Sequence, residues 1–143
     1  MSSYDISKLP KDEFAFPGPL RDKLVSALLS GKKTSSTSLL VEFEIEPEPL
    51  PKAGDLSVII DSDERPVGVL RQSGTTICRL ADVTLEHCIR EGEGYESIAA
   101  WRKAHEDFWT SEEYRSSLGR PDSRLNDDTQ IVCERFELVE TLA

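Results

Sequence analysis

The chain has 143 residues, the size of one domain, and 38% of them are hydrophobic, enough for one core. Its 17 Lys and Arg face 27 Asp and Glu, a formal net charge of −10. That argues against non-specific binding to long nucleic acids, which depends on many phosphate contacts from basic side chains, but leaves room for a small basic pocket in an acidic shell.

Residues 1–13 are polar and read as a flexible N-terminal segment ahead of a single domain over 14–143. They lack an apolar signal core, no run of 18 apolar residues follows, and Cys78, Cys88 and Cys133 form no CxxC pair. The expectation is a cytoplasmic protein with reduced thiols and no membrane span. "PLRDKLVSALLSG" reads as a helix with Pro19 in its first turn, an apolar stripe of Leu20, Leu24, Val25, Leu28 and Leu29, and Gly31 as the C-terminal stop. "SLLVEFEIE" alternates, with Leu39, Val41, Phe43 and Ile45 on one side and Glu42, Glu44 and Glu46 on the other, the pattern of a half-buried strand. "EPEPLPKAGD" is a proline-rich loop; "LSVIID", "PVGVLRQ" and "TTICRL" are three further strands. "DVTLEHCIREGEG" predicts a short helix stopped by glycines, and "ESIAAWRKAHEDFW" the strongest helix, with Ile98, Trp101, Ala104 or His105, and Phe108 on one face. Residues 110–128 are polar, with "GRPDS" as a turn, and "TQIVCERFELVE" is the final strand. Five or six strands, with short helices scattered among them, point to an α+β fold or small mixed barrel rather than a doubly wound parallel sheet.

HExxH, GxxxxGK[ST] and GxSxG are all absent, and His87 and His105 have no partner at metal-ligand spacing, so no metal or cofactor is expected. The final strand carries an anomaly: Glu134 shares parity with Val132, Phe136 and Leu138. A carboxylate on an apolar face must be paired or functional, unless a bulge turns it outward; Arg71 is the natural partner. Glu91 and Glu93 flank Gly92 just after a helix, where they are either solvated or placed to act as acid or base. His105, Trp101 and Trp109 read first as core residues.

The remaining feature is "LLSGKKTSSTSLL", in which Lys32 and Lys33 precede five hydroxyl residues, Thr34, Ser35, Ser36, Thr37 and Ser38. Lysines at a helix C-terminus neutralise its dipole, a sufficient structural reason for both. Yet the run passes straight from a capped helix into a core strand, which leaves no slack for a linker and suggests the wall of a site.

Taken with "VTLEHCIREGEGYESIAAWRKAHEDFW" and "VCERFELVE", this segment resembles the ASCH domain family, whose fold is similar to the PUA RNA-binding domain. The resemblance covers about residues 14–140. It implies a PUA-like mixed β-barrel of five to six strands with flanking α-helices, and a cleft lined by the lysine-hydroxyl segment. It further implies a site for RNA or a modified nucleoside, with hydrolysis of an N-acyl amide on a nucleoside such as N-acetylcytidine as one activity; the alternatives are a non-catalytic RNA-binding module or a ribonuclease. The family's catalytic lysine, the hydroxyl three residues on, and its glutamate fall on Lys33, Ser36 and Glu91, with Thr37 and Glu93 as alternative positions, and Ser36 stands where threonine is common. Lys32, Thr34, Arg71 and Glu93 are further candidates for ligand contact, as are Trp101, Arg102, His105 and Glu134. The chemistry is coherent: a hydroxyl becomes a nucleophile when a base takes its proton, a desolvated lysine can be that base, and a carboxyl group can protonate the departing amine. The partner expected is a small nucleoside-like ligand or short single-stranded RNA.

Overall fold

The computed structural model describes residues 4–119 and 125–142. After a single 3₁₀ turn at Ile6–Lys8, the elements are β1 (Lys11–Asp12), α1 (Pro19–Leu29), β2 (Ser35–Leu39), α2 (Leu40–Ile45), β3 (Leu56–Ile60) and β4 (Pro66–Arg79). A second 3₁₀ turn at Leu80–Asp82 leads to α3 (Leu85–Arg90), α4 (Ile98–Trp109), α5 (Glu112–Leu118) and β5 (Gln130–Thr141). The strands form one mixed sheet in the order β1-β3-β4-β5-β2. β1 runs parallel to β3, and the other pairs are antiparallel. The sheet is open, with β1 and β2 as its edges, and helices flank it; this is an α+β architecture, and the expected closure into a barrel is not seen among the described residues. The sheet also takes in Lys11 and Asp12, from the segment read as flexible: they pair with Val58 and Ile59.

Two apolar clusters hold it together. One joins Leu24, Val25 and Leu28 of α1 to Phe14, Ile59, Leu70 and Phe136. The other joins Trp101 and Trp109 of α4 to Tyr114, Leu39, Leu80, Val83, Cys88 and Ile131. Each fully buried Leu, Ile or Phe contributes about 1.5–3 kcal/mol relative to exposure.

The alternating run 39–45 is the main departure from expectation. The strand lies one segment earlier, in the hydroxyl run itself, because backbone pairing with β5 through residues 131–135 fixes Ser35–Leu39. The chain then coils into α2, where the Glu42 carboxylate accepts the Leu39 N–H at 3.2 Å, a local bond that favours a helix start over a continued strand. Two expected strands, "PVGVLRQ" and "TTICRL", are one 14-residue strand, β4, with register shifts at Val69/Leu70 and Gln72/Gly74. α5 lies in the segment noted only as polar; Ser111 caps it by accepting the Tyr114 N–H, and Gly119 ends it at φ 75°. The turn expected at "GRPDS" lies, beyond Gly119, outside the described residues. No helix among the described residues is long and apolar enough to cross a membrane.

Candidate functional site

Gly31, at φ 81°, turns the chain after α1, and the Lys32 and Lys33 N–H groups both reach the Ala27 carbonyl. The two lysines then part company. Lys32 is exposed; Lys33 is 3% exposed and its Nζ points at the loop after α3. There it donates to the Glu91 carbonyl at 3.3 Å, lies 3.6 Å from Glu91 Oε1 and 3.5 Å from Glu93 Oε2. Gly92 makes this approach possible. Its φ is 70°, and a Cβ there would sit 2.4 Å from the Lys32 carbonyl oxygen, so any side chain would push the two carboxylates off Lys33.

Glu91 is the centre of the arrangement and is 2% exposed. α3 starts at Thr84, which accepts the His87 N–H, and places His87 one turn before Glu91. α4, capped by Ser97, places Trp101 and His105 one turn apart, their rings stacked at 4.3 Å. Trp101 Nε1 and Thr37 Oγ1, the latter at 2.9 Å, donate to Glu91 Oε2. His105 Nε2 meets Glu91 Oε1 at 3.1 Å, while its Nδ1 meets the Trp101 carbonyl at 2.9 Å. Both ring nitrogens of His105 thus face oxygen atoms. Burial pushes the Glu91 carboxyl up, but the His105 hydrogen bond and charge, the Lys33 charge and the Trp101 bond outweigh it and hold it down at about 2. His87 moves downward, because burial outweighs the neighbouring Glu91 charge. A neutral His87 can donate from Nε2 to Thr37 Oγ1, 2.6 Å away, which leaves the Thr37 hydrogen for Glu91.

This cluster forms one wall of a cavity of about 570 Å³. Ser36, Thr37 and Ser38 of β2, Lys33, Glu91, Glu93, Tyr95 and His105 all border it. So do Phe16, Phe108 and Tyr114, and a second acidic side made by Asp12 and Glu134. Burial raises Asp12 to about 6, against a Ser57 hydrogen bond and the Lys33 charge. Burial and the Asp12 charge raise Glu134 to about 7, against a hydrogen bond from Gln72 Nε2 at 2.8 Å. Among the described residues no group of three or more His, Cys, Asp or Glu is arranged to hold a metal ion.

Lys33, Ser36, Thr37, Glu91, Glu93, His105 and Glu134 are therefore brought to one cavity. Trp101 is wholly buried behind it and reaches it through Glu91. Four other residues singled out in the sequence lie away from its walls. Lys32 is exposed, and Thr34 braces the fold by donating its N–H to the Arg90 carbonyl and accepting from Phe136 N. Arg102 is bound to Glu106 and Asp127 on another face of α4. Arg71 does not pair with Glu134: the register shift at Val69/Leu70 turns it outward opposite Glu137, its partner at 3.7 Å. His87 was overlooked, although its i,i+4 spacing to Glu91 on a helix was visible. Asp12, Tyr95 and Phe16 come from loops or a two-residue strand, which carry no periodic signal.

An open α+β sheet with a helix-walled acidic cavity at its β2 edge, entered by a buried lysine and a glycine-flanked glutamate, defines the class. The chain belongs to the ASCH domain family, whose model matches residues 13–140. Its structure is similar to the ASCH domain from Lactobacillus crispatus JV V101, with a TM-score of 0.78 and 26% identity over 92% of this chain and 79% of that one. It is also similar to a protein from Enterococcus faecalis V583, with a TM-score of 0.72 and 27% identity over 83% of this chain and 68% of that one. No curated protein matches the chain.

Proposed function

We propose that the cavity binds a small nucleoside-like molecule and hydrolyses an N-acyl amide on it, such as that of N-acetylcytidine. The observation that carries this reading is the buried Lys33 set against Glu91 on a wall that also presents the Ser36 and Thr37 hydroxyls. At about 570 Å³ the space suits one nucleoside, and Phe16 and Phe108, with ring centres 6.1 Å apart, offer faces for a planar base. The carboxylates around the cavity disfavour a phosphate chain, which supports a neutral ligand over RNA and disfavours the ribonuclease reading.

A second reading, a binding module without turnover, is favoured by one observation. Lys33 Nζ contacts two carboxylates and a carbonyl, and no hydrogen bond joins it to a hydroxyl among the described residues. An ion-paired lysine serves as a positioned positive charge more readily than as a base. The test is a panel of N-acylated nucleosides followed by chromatography, with binding of short single-stranded RNA measured in parallel. Deacylation by the native protein that is lost in Lys33→Met and in one of Ser36→Ala and Thr37→Val supports the hydrolase. Binding of a nucleoside or of short single-stranded RNA without turnover supports the module and refutes the hydrolase, and binding of neither would refute both.

A further inference from the structure

Phe16 and Phe108 reach the cavity from separate parts of the fold, and their rings are spaced too closely to hold anything between them. Phe16 lies in the segment between β1 and α1, and Phe108 near the C-terminus of α4. Both are half-buried, and both border the cavity that also holds Lys33, Ser36 and Glu91. Their ring centres are 6.1 Å apart, with the planes tilted by 37°. An aromatic face packs about 3.5–4 Å from its neighbour, so a flat base between two rings needs their centres about 7–8 Å apart. The pair is therefore closed, and a base enters between the rings only if one of them moves.

We propose that Phe16 is an aromatic gate. It parts from Phe108 to admit a planar ring, closes on that ring, and so selects flat aromatic ligands over puckered or aliphatic ones of similar size. The inference rests on the nucleoside reading above and names the residue that recognises the base. Phe108 is the fixed member: it rises from a 12-residue helix and packs on Tyr114, ring centres 5.2 Å apart. Phe16 is the movable one. The chain is pinned before it, where Phe14 packs edge-on against Phe136 and Arg21 donates to the Phe14 and Ala15 carbonyls at 3.3 and 2.8 Å. It is pinned again after it, where the Gly18 N–H donates to Ser62 Oγ at 3.0 Å. Among the described residues no hydrogen bond joins residues 13–18 to α4. Pro17 biases the Phe16 backbone toward extended conformations. Ala15 stands at φ 61°, a left-handed value that a residue with a Cβ seldom adopts. Ala15 relaxes by leaving that region and carries Phe16 with it, so a strained residue lies where the gate must hinge. Neither ring exchanges a proton; the gate acts on binding and on water exclusion, not on the bond-breaking step.

The test does not need the natural substrate. The probes are cytidine, uridine, 5,6-dihydrouridine and indole, titrated calorimetrically and followed by ¹⁹F NMR of protein carrying 4-fluorophenylalanine at position 16. Uridine and 5,6-dihydrouridine share a ribose and a hydrogen-bonding edge, and only uridine has a flat ring. The flat probes should bind and move the position-16 resonance, and 5,6-dihydrouridine should bind about 10-fold or more weakly than uridine. Phe16→Leu keeps an apolar side chain in a surface segment, so it folds, but it lacks an aromatic face. It should weaken every flat probe by about 5-fold or more, while Phe16→Trp should not. No binding of any flat probe, equal binding of uridine and 5,6-dihydrouridine, or a position-16 resonance indifferent to a bound flat probe each overturns the gate. Indole binding that depends on Phe16, with no nucleoside bound, would overturn only the nucleoside reading. Nucleosides bound as tightly by Phe16→Leu as by the native protein would overturn only the gate.

Discussion

Replacing Lys33 by methionine keeps the length of the side chain and removes its charge, leaving Glu91 and Glu93 with no cation on that side. The native ammonium lies 3.6 Å from one carboxylate oxygen and 3.5 Å from the other. At an effective dielectric constant of about 20, each contact is worth about 4–5 kcal/mol before desolvation is counted. Breaking a buried pair by removing one partner costs about 3–5 kcal/mol, because a buried charge is left uncompensated. Glu91 keeps His105, Trp101 and Thr37, so the loss should fall at the low end, about 3 kcal/mol. An exposed lysine that only neutralised the α1 dipole would cost under about 0.5 kcal/mol. Urea unfolding at pH 7, followed by tryptophan fluorescence and circular dichroism, separates the two. Glu91→Gln and the double variant complete a cycle, and the two substitutions should couple by more than about 1 kcal/mol, since adjacent partners are not additive. A loss below about 1 kcal/mol, or additive effects, would refute the reasoning from burial.

Gly92→Ala should lower stability by about 1–3 kcal/mol and weaken ligand binding, because its Cβ meets the Lys32 carbonyl and its φ is left-handed; thermal unfolding and calorimetric titration measure both effects, and a variant as stable as the native protein would count against the close approach. Glu91 is held at about 2, below the ordinary 4.5, so the stability its ionisation supplies is complete above pH about 4.5 and lost as pH falls toward 2; an acid-unfolding curve for Glu91→Gln should be flatter in that window. Glu134 is raised to about 7, so its ionisation opposes folding as pH rises from about 4.5 to about 7. Glu134→Gln should therefore gain on the native protein across that window, by up to about 3 kcal/mol at pH 8 in urea unfolding, and an advantage that shrinks as pH rises would contradict the assignment.

The elements with period and punctuation were legible in the sequence. Pro19 and Gly31 bracket α1 as read, and the stripe through Trp101 marks α4. Segments in which pairing overrides local preference were not. Ser35–Leu39 carries little strand propensity, and β5 alone makes it a strand. The alternation at 39–45 was a true period-two signal on a chain that bends into a helix once Glu42 captures the Leu39 N–H. A register shift cannot be read from the sequence, which is why Arg71 faces Glu137 and not the expected Glu134. In the site, the lysine-hydroxyl run and the glycine-spaced glutamates were visible as chemistry. The division of labour between Lys32 and Lys33 was not, because it depends on a backbone turn after α1 that aims one lysine inward.

The buried cluster poses an energetic question of its own. Apolar residues of similar volume in place of Lys33, Glu91 and their partners would pack without desolvating any charge, and such exchanges are often neutral or stabilising. Stability therefore does not account for the cluster. Its position argues further. The charged and polar groups sit on a cavity wall and not at the centre of either apolar cluster. Thr37 stands on β2 and Trp101 and His105 on α4, while Glu91 caps the C-terminus of α3 and Lys33 follows the turn after α1, so four elements of the fold converge on the cluster. Glu91 already has its hydrogen-bond acceptors occupied, which makes it a fixed anchor that orients Thr37, His105 and Lys33 rather than a free proton carrier. Glu134, which borders the same cavity, has the reverse character: a hydrogen bond from Gln72 and acidic neighbours. The two carboxylates are thus driven apart by their surroundings, one held in its ionised form at about 2 and one raised to about 7, on opposite sides of one cavity.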